Sequence, residues 1–219
     1  MIILPEINFS YGSEFSLNLP HTVIDKFPTF LVGPNGSGKT TLLKIIGGFI
    51  KTARSPKVMW KDHLLDTKPT FFAYLPARPI FDVNFTVRDY LLLAGDADHL
   101  QKAVEELNLE NWLNKKMGSL SSGWLQRVFI ARILMQDTPY ILMDEPTSFL
   151  DPEARKELID ILSKFPEKRM IVSSHDLSFL SSLGKFVMGL RDGQLVYTGE
   201  PKEFFNSGIE DVFVKGYII

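Results

Sequence analysis

The segment from Phe30 to Leu43, FLVGPNGSGKTTLL, restricts the possible folds more than any other part of the sequence. Apolar residues lead into a loop with glycines at positions 33, 36 and 38, and an apolar helical pattern follows. Glycine adopts backbone conformations that other residues avoid, so the amide groups of such a loop can turn inward around an anion. The N-terminus of the next helix adds unpaired N–H groups and a partial positive charge. The segment predicts a strand, an anion-binding loop and a helix in direct succession.

The residues after the third glycine indicate that the anion is a phosphate group. Lys39 supplies a mobile positive charge, and Thr40 supplies a hydroxyl group suited to Mg²⁺. The spacing G-x-x-x-x-G-K-T matches the Walker A pattern. The competing dinucleotide pattern, G-x-G-x-x-G, would need a glycine where the chain has Thr41. The predicted phosphate-binding residues are Gly33, Pro34, Asn35, Gly36, Ser37, Gly38, Lys39, Thr40 and Thr41.

Composition narrows the class of protein and its expected location. The 219 residues carry a formal net charge of −2, which argues against a nucleic-acid partner. Cysteine is absent, so disulfides and thiolate metal sites are excluded. No apolar run approaches the roughly 20 residues of a membrane span, and the N-terminus lacks a signal-peptide pattern. We expect a cytoplasmic protein that reaches a membrane only through a partner.

Strand and helix patterns alternate along the chain, which predicts an α/β fold with a parallel sheet. The middle region, 82–135, has helical patterns and is interpreted as a small helical lobe inserted into the α/β core. Thr86 and Asp98 are the predicted caps of its first two helices, and Asp151 is the predicted cap of a later helix. The main predicted strands are Phe15–Leu19, Thr29–Val32, Tyr140–Met143 and 170–174, with a hairpin at the turn RDG, 191–193.

Two carboxylates follow the apolar run Tyr140–Met143, which is typical of a buried central strand. Ligands of open α/β sheets bind at the carboxyl ends of such strands. Asp144 is therefore predicted to hold Mg²⁺ opposite Thr40, and Glu145 is predicted to activate a water molecule. The alternative is a pair of exposed strand-end carboxylates, and the phosphate-binding loop in the same chain argues against it.

A histidine follows another buried strand in the sequence MIVSSHD. The imidazole of His175 could donate a hydrogen bond to a terminal phosphate at the same edge of the sheet. The alternative is a loop histidine with a local hydrogen-bond partner. The other strand-end candidates favour the functional interpretation.

A second possible anion site lies in LSSGWLQRVFIARIL, from Leu120 to Leu134, where a serine- and glycine-rich turn opens a helix. Ser121 and Gly123 would present a helix N-terminus to a phosphate group. The alternative is an ordinary helix cap formed by Ser121 or Ser122.

Together these segments resemble the motifs of the ABC ATPase family, in the same order along nearly the whole chain. GPNGSGKT resembles Walker A, LSSGW the family signature, YILMDE Walker B, SFLD the D-loop and SSHD the H-loop. Tyr11 lies where the family has an aromatic residue that stacks on adenine, although a core tyrosine is the alternative. The resemblance implies a P-loop NTPase core of ABC type with an antiparallel β subdomain and an inserted helical lobe, all within one domain, 1–219.

The resemblance also implies how such a protein works. It implies an ATPase that uses ATP and Mg²⁺, with Lys39, Glu145 and His175 as catalytic residues. Two ATPase subunits, identical or different, would face each other head to tail and enclose two nucleotides, with Ser121 and Gly123 contacting the nucleotide of the other subunit. The implied partners are transmembrane permease subunits and a solute-binding protein, and the implied location is the inner face of the cell membrane. The segment GEPKEFFNSGIEDVF, 199–213, resembles importers of iron chelates or cobalamin.

The chain departs from the family pattern at three positions. Ala77 stands where the family usually has a glutamine that contacts Mg²⁺ and water, and the signature has Ser122 for glycine and Trp124 for glutamine. These departures raise the possibility of a partner subunit that binds ATP without hydrolysing it, against which Glu145 and His175 argue. A separate alternative is an ABC ATPase that is not tied to transport.

Overall fold

The computed structural model describes residues 1–208, without the side chain of Ala97. The strands in chain order are β1 Ile2–Leu4, β2 Ile7–Tyr11, β3 Phe15–Leu19, β4 Thr22–Ile24, β5 Thr29–Val32, β6 Lys57–Trp60, β7 His63–Asp66, β8 Phe72–Leu75, β9 Tyr140–Asp144, β10 Arg169–Ser173, β11 Phe186–Arg191 and β12 Gln194–Gly199. The helices are α1 Lys39–Ile46, α2 Val87–Leu92, α3 Ala97–Leu107, α4 Ser122–Leu134, α5 Pro152–Ser163, α6 Leu177–Leu183 and α7 Pro201–Asn206. Short 3₁₀ turns occur at Pro69–Phe71, Glu110–Trp112 and Met117–Ser119.

The larger sheet has eight strands in the order β2-β3-β12-β11-β5-β10-β9-β8. Its strands β8, β9, β10, β5 and β11 run parallel, which confirms the predicted α/β core. Strand β9 is buried along its full length, as its uninterrupted apolar sequence predicts. The β11–β12 hairpin is also confirmed, and its turn residues Asp192 and Gly193 have the positive φ angles of a tight hairpin turn.

A second sheet has four strands in the order β4-β1-β6-β7, and all of its pairings are antiparallel. This is the antiparallel β subdomain that the family resemblance implies. The two sheets enclose α1, whose residues Leu42, Leu43, Ile45 and Ile46 are all fully buried. Burial of this helix fixes the direction in which its N-terminus points.

Helices α2, α3 and α4 lie between β8 and β9 in the chain, within the region predicted to form a lobe. Thr86 caps α2 as predicted, and it forms a capping box with Asp89. The prediction that Asp98 caps α3 is wrong, because Asp96 accepts a hydrogen bond from the His99 backbone and occupies the cap position. Asp96 also contacts the His99 ring, and Asp98 lies inside the first turn of α3, which begins at Ala97. The boundaries 82–135 remain a prediction.

Of the segment 199–213, residues 209–213 lie outside the described residues. Within the described part of the chain, none of the helices has both the length and the apolar character needed to cross a bilayer.

Candidate nucleotide site

The predicted site residues lie at the carboxyl ends of three adjacent parallel strands. Leu31 in β5 pairs with Ser173 in β10, and Ser173 pairs with Asp144 in β9. The phosphate-binding loop leaves β5 just after this row, and His175 lies two residues beyond Ser173. Strand order and register therefore bring together the three segments that the sequence places far apart.

The loop at 33–38 takes a shape that depends on glycine. Gly38 precedes α1 with a φ angle of 102°, and a Cβ atom there would lie 2.8 Å from Leu17 and 2.9 Å from Phe15. A Cβ atom on Gly33 would lie 2.2 Å from the carbonyl oxygen of Leu190. The loop is thus pressed against β3 and β11, and larger residues at these two glycines would displace it.

Lys39 is the first residue of α1 and is only 6% exposed. Its ammonium group donates hydrogen bonds to the carbonyl oxygens of Gly33, at 2.8 Å, and Pro34, at 3.1 Å. A carboxylate oxygen of Glu145 lies 3.6 Å away, within ion-pair distance but beyond hydrogen-bonding distance. Burial lowers the pKa of Lys39, and the negative charge of Glu145 partly opposes this shift. A phosphate group in the loop would supply the counter-charge that the neutral carbonyls lack.

Asp144 is almost fully buried and accepts two hydroxyl hydrogen bonds. Thr40 donates to its Oδ2 at 2.7 Å, and Ser173 donates to its Oδ1 at 2.5 Å. The Thr40 hydroxyl and the Asp144 carboxylate are hard oxygen ligands of the kind that Mg²⁺ prefers. No group of three or more His, Cys, Asp or Glu side chains in the described residues could hold a metal ion by itself. Two side-chain oxygens leave most coordination positions of such an ion to phosphate and water.

Glu145 is held from both its backbone and its side chain. Its N–H donates to the carbonyl and to the hydroxyl oxygen of Ser173, each at 3.0 Å, and its φ angle of 49° is unusual for a residue other than glycine. The Nδ1 atom of His175 lies 2.7 Å from its Oε2. The His175 side chain is 64% exposed, so the pair opens towards solvent. This places a carboxylate between an exposed imidazole and the buried ammonium of Lys39.

A cavity of about 390 Å³ covers the loop and the start of α1. One wall consists of Tyr11 and Phe15, which are directly opposite each other on β2 and β3 with ring centroids 6.4 Å apart. Tyr11 is 51% exposed, which excludes the alternative that it is a core residue. The other lining residues are Asn35, Gly36, Ser37, Gly38, Lys39, Thr40, Thr41 and Glu145. The cavity therefore offers a phosphate-binding end and an aromatic end.

Ser121 and Gly123, which form the predicted second anion site, do not line this cavity. Ser121 is exposed and caps α4 by accepting a hydrogen bond from the Trp124 backbone at 3.5 Å. Gly123 faces α5, where a Cβ atom would contact Ala154 at 3.4 Å. Ser122 instead shares a neighbouring cavity of about 250 Å³ with Ala77, Asp144 and Glu145, among others. Ser121 is thus exposed outside the cavity that covers the loop of its own chain.

Sequence reasoning missed two residues of this site. Ser173 contacts the Asp144 carboxylate and the Glu145 backbone, and its only sequence signal is a hydroxyl that follows the apolar residues of β10. Phe15 lines the cavity beside Tyr11, but its strand pattern suggested only a half-buried position. The pairing of Tyr11 with Phe15 across a hairpin could have been found by aligning the two strands.

Several known proteins are similar to this chain. A family model described as "ABC transporter" matches residues 21–148. The petrobactin import ATP-binding protein YclP of Bacillus subtilis is 28% identical over 233 residues, which cover 97% of this chain and 92% of that protein. A Helicobacter pylori protein named "Probable iron chelatin transport ATP-binding protein" is 32% identical over 212 residues, which cover 86% of this chain and 83% of that protein.

Solved structures support the fold. A nucleotide-free ATP-binding cassette from an ABC transporter superposes with a TM-score of 0.85 and 23% identity, and the match covers 100% of this chain and 98% of the other. The family model covers more than half of the chain, and the Helicobacter pylori relative exceeds 30% identity over most of it. The chain therefore belongs to the ABC transporter family of ATP-binding subunits and is an ABC-type ATPase that drives transport.

Proposed function

We propose that the chain hydrolyses ATP in a dimer of ATPase subunits that encloses two nucleotides, and that Lys39, Glu145 and His175 carry the reaction. The observation that carries this proposal is the charged row at the sheet edge, in which Glu145 lies between Lys39 at 3.6 Å and His175 at 2.7 Å. A base beside a phosphate-binding cation is the arrangement that attack by water on a terminal phosphate requires.

The cavity supports a specific orientation of the nucleotide. The phosphates would bind the loop amides, the ammonium of Lys39 and the N-terminus of α1. The adenine would lie against Tyr11, with Phe15 extending the same apolar wall. The residues that line the cavity run from β2, at the aromatic end, across the loop to α1.

Thr40 and Asp144 would hold Mg²⁺, since the two side-chain oxygens lie 2.7 Å apart beside the phosphate-binding loop. When bound, the ion would neutralise charge on the phosphate oxygens. Ser173 would keep the Asp144 carboxylate oriented through its hydrogen bond to the other oxygen.

Glu145 would accept a proton from the attacking water, and the new P–O bond would form as the bond to the ADP oxygen breaks. His175 would orient the Glu145 carboxylate and donate to a phosphate oxygen once ATP is bound. Lys39 would stabilise the negative charge that remains on the phosphate groups. Because Glu145 is anchored through its backbone to Ser173, the base has a fixed starting position.

The second subunit would complete each site. Ser121 is exposed at a helix N-terminus and lies outside the nucleotide cavity of its own chain, which supports contact with the nucleotide of a partner. Gly123 would offer its backbone N–H to the partner's phosphate at the same turn. The partner subunit would be a second copy or a related ABC ATPase.

Transmembrane permease subunits would hold the dimer at the inner face of the membrane, and a solute-binding protein would deliver the cargo to them. Two relatives carry names that refer to petrobactin and iron chelatin, which supports import of an iron chelate by this system. The segment 199–213, which resembles importers of this kind, supports the same cargo class.

A second candidate is a subunit that binds ATP without hydrolysing it, and one observation favours it. Ala77 lies in the cavity beside Asp144 and Glu145, where its methyl group cannot orient a metal-bound water. The base Glu145 and its partner His175 are nevertheless both present, which favours hydrolysis.

The test is Glu145→Gln, with Glu167→Gln as a matched control, because Glu167 is exposed and remote from the loop. An amide cannot take the proton, so the variant should bind ATP, lose hydrolysis and accumulate as an ATP-bound dimer in light scattering. The control should hydrolyse ATP normally. A Glu145→Gln variant that stays monomeric with saturating ATP at high concentration would exclude a homodimeric sandwich, and unchanged hydrolysis would exclude Glu145 as the base.

A further inference from the structure

Trp124, the last residue of the LSSGW segment, is part of an aromatic and cationic stack. Its indole ring lies 4.1 Å from that of Trp112, centroid to centroid, with 28° between the planes. The guanidinium carbon of Arg127 lies 4.6 Å from the Trp124 ring centroid. Both rings are partly buried against the main core. Such stacking restricts the position of the first turn of α4, where Trp124 lies.

The stack is attached to two different parts of the chain. Arg127 donates a hydrogen bond to the carbonyl of Leu107 at the end of α3, and it forms an ion pair with Glu157 of α5. One turn earlier, Gly123 faces α5, where a Cβ atom would make van der Waals contact with Ala154 at 3.4 Å. The first turn of α4 is therefore fixed against the end of α3 on one side and against α5 on the other.

Trp124 also contacts the serine that precedes the helix. Its backbone N–H donates to Ser121 Oγ at 3.5 Å. A serine hydroxyl has one proton and two acceptor sites, so this contact leaves the proton of Ser121 available for another acceptor. The Ser121 side chain is exposed, so that acceptor can come from outside the chain.

We propose that Trp124, stacked with Trp112 and Arg127, is a positioning residue that holds the Ser121–Gly123 turn ready for the partner's nucleotide. This inference rests on the proposed function, in which the turn contacts ATP bound to the other subunit. The stack acts on closure of the dimer, because it holds the turn in place before the partner arrives. It does not act on ATP binding to the single chain, because none of its residues lines the nucleotide cavity.

The experiment measures ATP-dependent dimerisation in the Glu145→Gln background by analytical ultracentrifugation. The added variants are Trp124→Gln, which removes the stack, Trp124→Phe, which keeps an aromatic face, and Trp112→Leu. Trp60→Phe is the matched control, since Trp60 contacts Phe71 in a different part of the chain. Binding of a fluorescent ATP analogue to dilute monomer and the melting temperature are measured for each variant.

We expect Trp124→Gln and Trp112→Leu each to raise the dimer dissociation constant roughly three- to tenfold, the range that an aromatic pair contributes. The double variant, Trp124→Gln with Trp112→Leu, should have a dimer dissociation constant only slightly above that of either single variant, because both substitutions remove the same stack. Trp124→Phe should stay within about threefold of the parent, and monomer affinity for the ATP analogue should stay within about twofold. The Trp60→Phe control should dimerise like the parent.

Dimerisation of Trp124→Gln at the parental level would overturn the inference while leaving the proposed function intact. An equal loss of dimerisation in Trp124→Phe and in Trp60→Phe would also overturn the inference, because the loss would then not depend on the stack. Failure of the Glu145→Gln parent itself to dimerise with ATP would instead exclude the homodimeric form of the proposed function, and this inference with it.

Discussion

Replacing Ser173 by alanine removes one hydroxyl group that contacts the Asp144 carboxylate and the Glu145 backbone. That hydroxyl donates to Asp144 Oδ1 at 2.5 Å and accepts from the backbone N–H of Glu145 at 3.0 Å. Ser173 is fully buried, so water does not readily replace it. The Glu145 N–H keeps its second acceptor, the Ser173 carbonyl, but Asp144 Oδ1 loses its only described partner.

The magnitude follows from the charge of the acceptor. A hydrogen bond to a charged group contributes roughly 1.5–3 kcal/mol, so we expect the free energy of unfolding to fall by about 2 kcal/mol. For a chain of this length the melting temperature should fall by roughly 4–8 °C. Loss of a hydrogen bond that orients a metal ligand typically costs about 10- to 100-fold in metal affinity or activity. Ser173→Ala should therefore lower ATP turnover by a factor in that range and raise the Mg²⁺ concentration needed for half-maximal rate.

The matched control is Ser174→Ala, which removes the same group from the next residue. Ser174 is equally buried, and its hydroxyl accepts from the Asp176 backbone rather than contacting either carboxylate. We expect its turnover and Mg²⁺ dependence to stay within about threefold of the parent. Steady-state ATPase assays over a Mg²⁺ titration, with thermal melting of both variants, decide the matter. Equal turnover and equal Mg²⁺ dependence in the two variants would refute the role given to Ser173.

Three other changes test the site. Lys39→Ala should abolish ATP turnover and strongly weaken nucleotide binding, because the cavity loses its buried cation. Near-normal ATP hydrolysis by this variant would refute the assignment of the loop as the phosphate-binding site. Burial lowers the pKa of Lys39 from 10.5, so the folded chain releases this proton at lower pH than the unfolded chain. As pH rises towards 10.5, the unfolding free energy of the nucleotide-free parent should therefore increase relative to that of Lys39→Met. Urea denaturation of both proteins measures this difference in unfolding free energy, and a difference that does not change with pH would contradict the expectation. Ala77→Gln should raise the maximal rate about two- to tenfold through one added hydrogen bond, with ATP affinity unchanged; an unchanged or lower rate in a folded variant would mean that Ala77 is not a missing contact.

The amino-acid sequence determined the parts of the protein whose chemistry is local. The loop glycines, Lys39 and Thr40 lie within eight residues, and Lys39 takes its hydrogen bonds from the same loop. Strand β9 and the cap at Thr86 were predictable for the same reason, since their signals lie within one turn or strand. The cap of α3 was not, because Asp96 and Asp98 are both good cap residues. The structure distinguishes them, since Asp96 accepts the capping hydrogen bond from the His99 backbone.

Only the tertiary structure decided which distant residues meet. Strand β10 lies between β5 and β9, so Ser173 reaches Asp144 and Glu145 across a register that no local pattern specifies. The stack of Trp112 on Trp124 likewise depends on how a 3₁₀ turn packs against α4. Strand order and helix packing are set by burial of apolar surface over the whole core, which depends on the sum of many contacts. A motif can therefore name the groups that do the chemistry, while the residues that hold them in place are known only once the core is assembled.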